Sequence, residues 1–246
     1  MGSIHLVGGE KGGVGKSFTA RLLAQYFIDN QQPFIGFDTD QSHGTFTRFY
    51  REFTSSIDTR SFDSLDTIIA SAESSPDTHI IVDLAAQTLT SLTRWIEDSD
   101  IFGVLQELGF TLYLWHVMDD GADSMNLLQK VMETYDGDAI RLILVENLGR
   151  GDCFEYLEGS DIYARALENN AQVLKLDQLQ PGLVKKVDFS NTSFWAAANN
   201  RQLMSTVERH RVATWLKKQY VQFDRILLPA VTEAANADLM EPSLVD

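Results

Sequence analysis

Residues 8–17 of the chain read Gly-Gly-Glu-Lys-Gly-Gly-Val-Gly-Lys-Ser. Glycines at this density let successive backbone N–H groups converge on the oxygens of one anion. Lys16 supplies a cation for phosphate oxygens, and a hydroxyl at Ser17 suits Mg²⁺. The strict pattern G-x-x-x-x-G-K-[ST] is not met, because Glu10 stands where its first glycine belongs. The variant K-G-G-x-G-K-[ST] is met, with Lys11 as an additional lysine. Acidic segments accompany the loop at two places. Asp38-Thr39-Asp40-Gln41 closes an apolar run beginning at Pro33, and Asp83 closes Ile80-Ile81-Val82. A carboxylate at the end of a parallel strand points into the phosphate crevice, and phosphoryl transfer needs mainly positioning and charge neutralisation. Both segments also read as ordinary polar turns.

Other candidates are weaker. Asn147 ends a further apolar run, where asparagine is also a common turn residue. The histidines, His5, His43, His79, His116 and His210, are scattered and lack metal-ligand spacing, so no zinc site is expected. His43 is a candidate for the crevice because it follows Asp40 closely. Trp115, Trp195 and Trp215 are assigned to the core or to an interface.

Strands alternating with helices must position these residues. Residues 4–7, 33–38, 79–84, 110–117, 140–146 and 173–176 read as strands with near-continuous apolar character. Helical periodicity predicts helices over 16–31, 62–72, 89–108 and 125–135. A helical C-terminal quarter follows, with Leu203, Val207, Val212, Leu216, Tyr220 and Phe223 as apolar positions. That alternation implies an α/β fold, a mainly parallel twisted sheet with helices on both faces. Such sheets bind ligands at the carboxyl ends of their strands. One domain is expected over residues 1–228, with residues 229–246 as an acidic tail.

The chain has 246 residues, 44% of them hydrophobic and 22% charged, which excludes disorder and fibrous classes for most of its length. Its formal charge of −15 repels nucleic-acid backbones and anionic lipid. Basic residues concentrate only at Arg209, Arg211, Lys217, Lys218 and Arg225, while Glu233 to Asp246 carries acids and no base. The single cysteine, Cys153, permits no internal disulfide. Neither a secretion signal nor a spanning apolar run is read, so a cytoplasmic protein is expected.

The loop at residues 8–17 resembles the deviant Walker A motif of the ParA/MinD family of dimeric ATPases. The resemblance is strongest over residues 4–48 and extends to about residue 200. It is also similar to the ParA-like proteins of plasmid conjugation and mobilisation operons. The resemblance implies a P-loop NTPase architecture with ATP and Mg²⁺ as cofactors. Gly12, Gly13, Val14, Gly15, Lys16, Ser17 and Phe18 would hold the nucleotide, and Ser17, Asp38 and Asp83 the metal. Asp40 would orient the attacking water or accept its proton. Lys11 would cross a homodimer interface to the partner's phosphates. Asn147 would read the adenine edge, with Pro181 and Gly182 packing on the base. Where the family follows the Asp83 position with Pro or Gly, this chain has Leu84-Ala85-Ala86-Gln87.

The function implied is a Mg²⁺-dependent ATPase acting as a nucleotide-switched homodimer that positions or assembles a larger object through a protein partner. Nonspecific DNA and membranes are not expected as targets. Two alternatives remain at this point: a small-molecule ligase or kinase on the same scaffold, and an adaptor that binds ATP without hydrolysing it.

Overall fold

The computed structural model describes residues 2–42, 44–135 and 139–228. His43 and the tail expected at 229–246 lie outside the described residues. The chain begins with β1 (Ser3–Gly8), α1 (Lys16–Asp29), β2 (Phe34–Asp38), α2 (Thr45–Phe49), β3 (Thr54–Ser56), α3 (Phe62–Ser74) and β4 (His79–Asp83). Then follow α4 (Leu89–Asp98), α5 (Ile101–Leu108), β5 (Thr111–Met118), α6 (Ala122–Thr134) and β6 (Ile140–Asn147). The last elements are α7 (Glu155–Glu158), α8 (Asp161–Glu168), β7 (Gln172–Leu176), α9 (Pro181–Phe189), α10 (Phe194–Asn199) and α11 (Thr206–Leu227).

Among the described residues seven strands form one sheet in the order β3-β2-β4-β1-β5-β6-β7, and every pair is parallel. Alternate residues along each strand serve opposite faces, as the pleat requires. Val7, Ile81, Trp115 and Ile143 pack with α1, α2 and α9 to α11 on one face. Leu6, Ile80, Val82 and Leu114 pack with α3 to α6 on the other, and a smaller cluster lies under α7 and α8. The chain runs to one side of β1 through β4 and returns on the other side from β5 onward. The carboxyl end of β1 is therefore the topological switch point, where such sheets open a crevice.

Three expectations are corrected. The helix expected over 89–108 is two helices. Asp100 adopts a left-handed conformation, φ 46°, and its carboxylate accepts from the Gly103 N–H as the cap of α5. Val207, placed in the apolar stripe of the last helix, is 59% exposed, while Trp215 and Ile226 are buried there instead. The elements α2, β3, α7 and α8 were not expected at all. Each is short, and β3 is a three-residue edge strand of threonine and serine without apolar periodicity. Of the tryptophans, Trp115 and Trp215 are core residues, whereas Trp195 is 56% exposed.

Candidate functional site

Parallel register collects the acidic strand ends at the loop. Asp38 of β2 lies opposite Asp83 of β4, and Asp83 lies opposite Val7 of β1, immediately before the loop. The loop turns from β1 into α1 through glycines in left-handed conformations, Gly13 with φ 80° and Gly15 with φ 106°. Gly15 has no room for a side chain, since a Cβ there would lie 2.2 Å from Asn147 Nδ2. Gly12 and Gly13 differ: a Cβ at either meets no protein atom within 4 Å, yet both line the cavity in front of the loop. Their bareness keeps that cavity open for a ligand rather than relieving crowding within the protein.

The cavity measures about 380 Å³ and is walled by Lys16, Ser17, Asp40, Asp83 and the Leu84–Ala86 segment, with the N-terminus of α1 at its base. Lys16 is 8% exposed, and its ammonium donates to the Lys11 carbonyl at 2.8 Å. Burial pushes its pKa down against the opposing pull of Asp83 and Glu10. The Asp83 carboxylate accepts from the Ser17 hydroxyl, and its Oδ1 is buried with no hydrogen-bond partner. Burial first, and then the nearby Asp38, push the Asp83 pKa up to about 7. A buried carboxylate oxygen left unmatched beside a serine hydroxyl fits a divalent cation arriving with a polyphosphate. Among the described residues no group of His, Cys, Asp and Glu could hold a metal alone, so the ligand's own oxygens would have to complete the shell.

The hydrogen bonds of Asp38 run to backbone amides of the protein. The residue is fully buried and does not line the cavity. One of its oxygens accepts from the Asp40 N–H and the other from the Thr47 N–H, each at 3.0 Å. It therefore anchors the loop that carries Asp40. Burial raises its pKa, opposed by these amides. Asp40 itself faces the cavity and accepts from the Ser42 N–H.

Lys11 lies outside that cavity wall and forms an ion pair with Asp119, at 2.8 Å, just beyond β5. Asp123 is 4.0 Å away. Asn147 is hydrogen-bonded within the protein. Its Nδ2 donates to the Val14 carbonyl at 2.7 Å and its Oδ1 accepts from the Gly149 N–H at 3.0 Å. Each end of the amide makes one bond beneath the loop, and an amide has a second N–H and a second lone pair to offer. Asn147 does wall a second cavity of about 280 Å³ together with Phe18, Gln178, Leu179 and Pro181. The two cavities share Phe18, Arg150, Val184 and Asp188. The trough they form places a base-sized recess beside the phosphate loop, with Pro181 in its wall.

Several participants escaped the sequence. Glu10, the departure from the strict pattern, accepts from the Leu89 N–H and so caps α4. Thr39 ties the two acidic loops together: its hydroxyl donates to the Asp83 carbonyl and accepts from the Ala85 N–H. Arg21, Arg48 and Arg150 line the trough. Only Glu10 had a signal in the sequence, its intrusion into a glycine pattern; the others owe their roles to distant partners.

No family model matches the chain. Among curated proteins it is 33% identical to protein TraL of Escherichia coli over 129 residues, 49% of this chain and 52% of that one. It is 25% identical to protein MobD of Acidithiobacillus ferrooxidans over 172 residues, covering 69% and 75%. The chain thus spans about half the length of the TraL relative it matches. Among solved structures it superposes on the MinD cell division protein of Aquifex aeolicus with TM-score 0.53 and 12% identity, over 88% of this chain and 95% of that one. The chain shares the fold of MinD. A ParA family ATPase from Chlorobium tepidum gives TM-score 0.50 at 13% identity, over 87% and 97%. At this identity the likeness is one of topology, with the glycine-rich loop following β1 and the carboxylates at the strand ends. No helix among its described residues is long and apolar enough to cross a membrane.

Proposed function

We propose that the protein binds ATP with Mg²⁺, hydrolyses it slowly, and uses it to switch a homodimer that positions or assembles a larger partner. The observation that carries this reading is the convergence of Lys16, Ser17, Asp83 and Asp40 on one glycine-walled cavity that continues into a base-sized recess. Lys16 and the amides of residues 12–17 would neutralise and hold the phosphates. Ser17 and the unmatched oxygen of Asp83 would hold the cation, which supplies charge neutralisation across the phosphates when bound. Asp40, held by the loop that Asp38 anchors, would orient water. Lys11 would leave Asp119 to reach the partner's phosphates, so its ion pair marks the unassociated state. The names TraL and MobD suit a setting in plasmid conjugation or mobilisation.

Calorimetry and light scattering test the reading together. Lys16→Ala should lose ATP affinity, and Asp40→Ala should accumulate an ATP-bound dimer. Unchanged ATP affinity in the first variant would remove the phosphate-loop assignment. A monomeric Asp40→Ala protein in saturating ATP would remove the switch and favour an enzyme or adaptor on this scaffold.

A further inference from the structure

The trough beside the phosphate loop holds more positive charge than the loop supplies. Arg21, on α1, is 3% exposed and lines it. Its guanidinium carbon lies 3.4 Å from the centre of the Phe49 ring and 5.1 Å from that of Phe194. Nη1 donates to Asp188 at 2.9 Å, but Nε and Nη2 have no hydrogen-bond partner. Buried guanidinium nitrogens without acceptors are costly, and native proteins rarely leave them so without a reason. Arg48, on α2, lines the same trough, and its guanidinium lies 4.9 Å from the same Phe49 ring. Two cations thus share one phenyl ring and repel each other, with Asp188 as the acid paired to Arg21. An oxyanion held against both in the trough would offset that repulsion. Guanidinium forks recognise phosphate and carboxylate groups in this way. Arg21 is five residues beyond Lys16, about 7.5 Å farther along the helix axis. The pair is therefore displaced from the loop's own phosphate cradle.

We propose that Arg21 and Arg48 form an oxyanion subsite, taking a phosphate or carboxylate group beside the phosphate loop. It rests on the nucleotide reading of the same trough. The oxyanion has two sources: a phosphate of the nucleotide itself, or a second anion bound alongside it.

The test is calorimetry on the full chain with two probes, the non-hydrolysable analogue AMPPNP with Mg²⁺, and inorganic phosphate. Arg48→Gln is at an exposed position and should fold. Arg21→Lys keeps the buried charge but loses the fork, and circular dichroism checks its fold. If a second anion is the occupant, inorganic phosphate binds protein already saturated with AMPPNP, and each variant weakens that binding about tenfold or more. If the nucleotide supplies the group, phosphate fails to bind the saturated protein and each variant weakens AMPPNP about tenfold. Wild-type affinities for both probes in both variants would overturn the subsite. Failure of the nucleotide reading is separable: wild type would not bind AMPPNP, whereas phosphate binding that survives Lys16→Ala and falls in Arg48→Gln would still support the arginine pair.

Discussion

Replacing Asn147 by alanine removes two hydrogen bonds that hold the phosphate loop from beneath, the 2.7 Å bond to the Val14 carbonyl and the 3.0 Å bond from the Gly149 N–H. Val14 is 1% exposed, so water cannot readily replace the lost donor. A buried carbonyl left unmatched costs about 1–3 kcal/mol, and the half-buried Gly149 bond adds about 1 kcal/mol. The sum is about 2–4 kcal/mol, divided between global stability and the conformation of the loop. If about 2 kcal/mol falls on the loop, every ligand gripped through its phosphates weakens about thirtyfold, at 1.4 kcal/mol per tenfold. ATP, GTP and pyrophosphate should therefore lose affinity by a similar factor, measured by calorimetry. Asn147→Asp keeps the acceptor for Gly149 but turns a carboxylate oxygen toward the Val14 carbonyl, so it should be worse than alanine. A variant that weakens ATP while GTP and pyrophosphate bind as before would refute the strut and support Asn147 as a reader of the base.

The remaining predictions address the dimer, pH and targets. Asp119→Asn should weaken the hold on Lys11 and lower the ATP concentration needed for association in light scattering, and an unchanged or higher midpoint contradicts the latch. His5 and His79 share the Ser3 hydroxyl, and burial pushes both pKa values down, that of His79 to about 4. Each is neutral when folded, while the unfolded chain gains protons below about 6.5. Stability is therefore fully present above that pH and is lost as pH falls toward 4, by up to about 1.4 kcal/mol per pH unit for each histidine. Urea unfolding at pH 7 and pH 5 measures this, and the fall should shrink in His79→Gln. The basic residues Arg211, Lys217, Lys218 and Arg225 sit on the exposed face of α11 in a chain of charge −15. Random-sequence DNA and anionic vesicles should bind weakly at physiological salt, and micromolar DNA binding by the Asp40→Ala dimer would point to this helix.

By itself the sequence determined the features that are local in the chain. A phosphate loop is legible because its backbone conformation demands glycines at fixed spacing, and its ligand chemistry demands a lysine and a hydroxyl at its end. The strands carrying Asp38 and Asp83 are legible because strands buried on both faces must be apolar throughout. The break at Asp100 was also written locally, in an aspartate able to cap α5, but an apolar pattern continuing across it concealed the signal. Tertiary structure alone decided which way each polar side chain turns. Asp38 serves the loop at 40–47 because that loop folds back over the end of β2 and presents its amides. Asn147 serves Val14 because β6 ends beneath the phosphate loop, 133 residues away in the chain. Arg21 meets Asp188 from 167 residues away, and Lys11 meets Asp119 from 108. Hydrogen bonds and ion pairs act over about 3–4 Å, so their partners depend on which distant segments the packed sheet brings that close, and residue type and spacing carry no record of that choice.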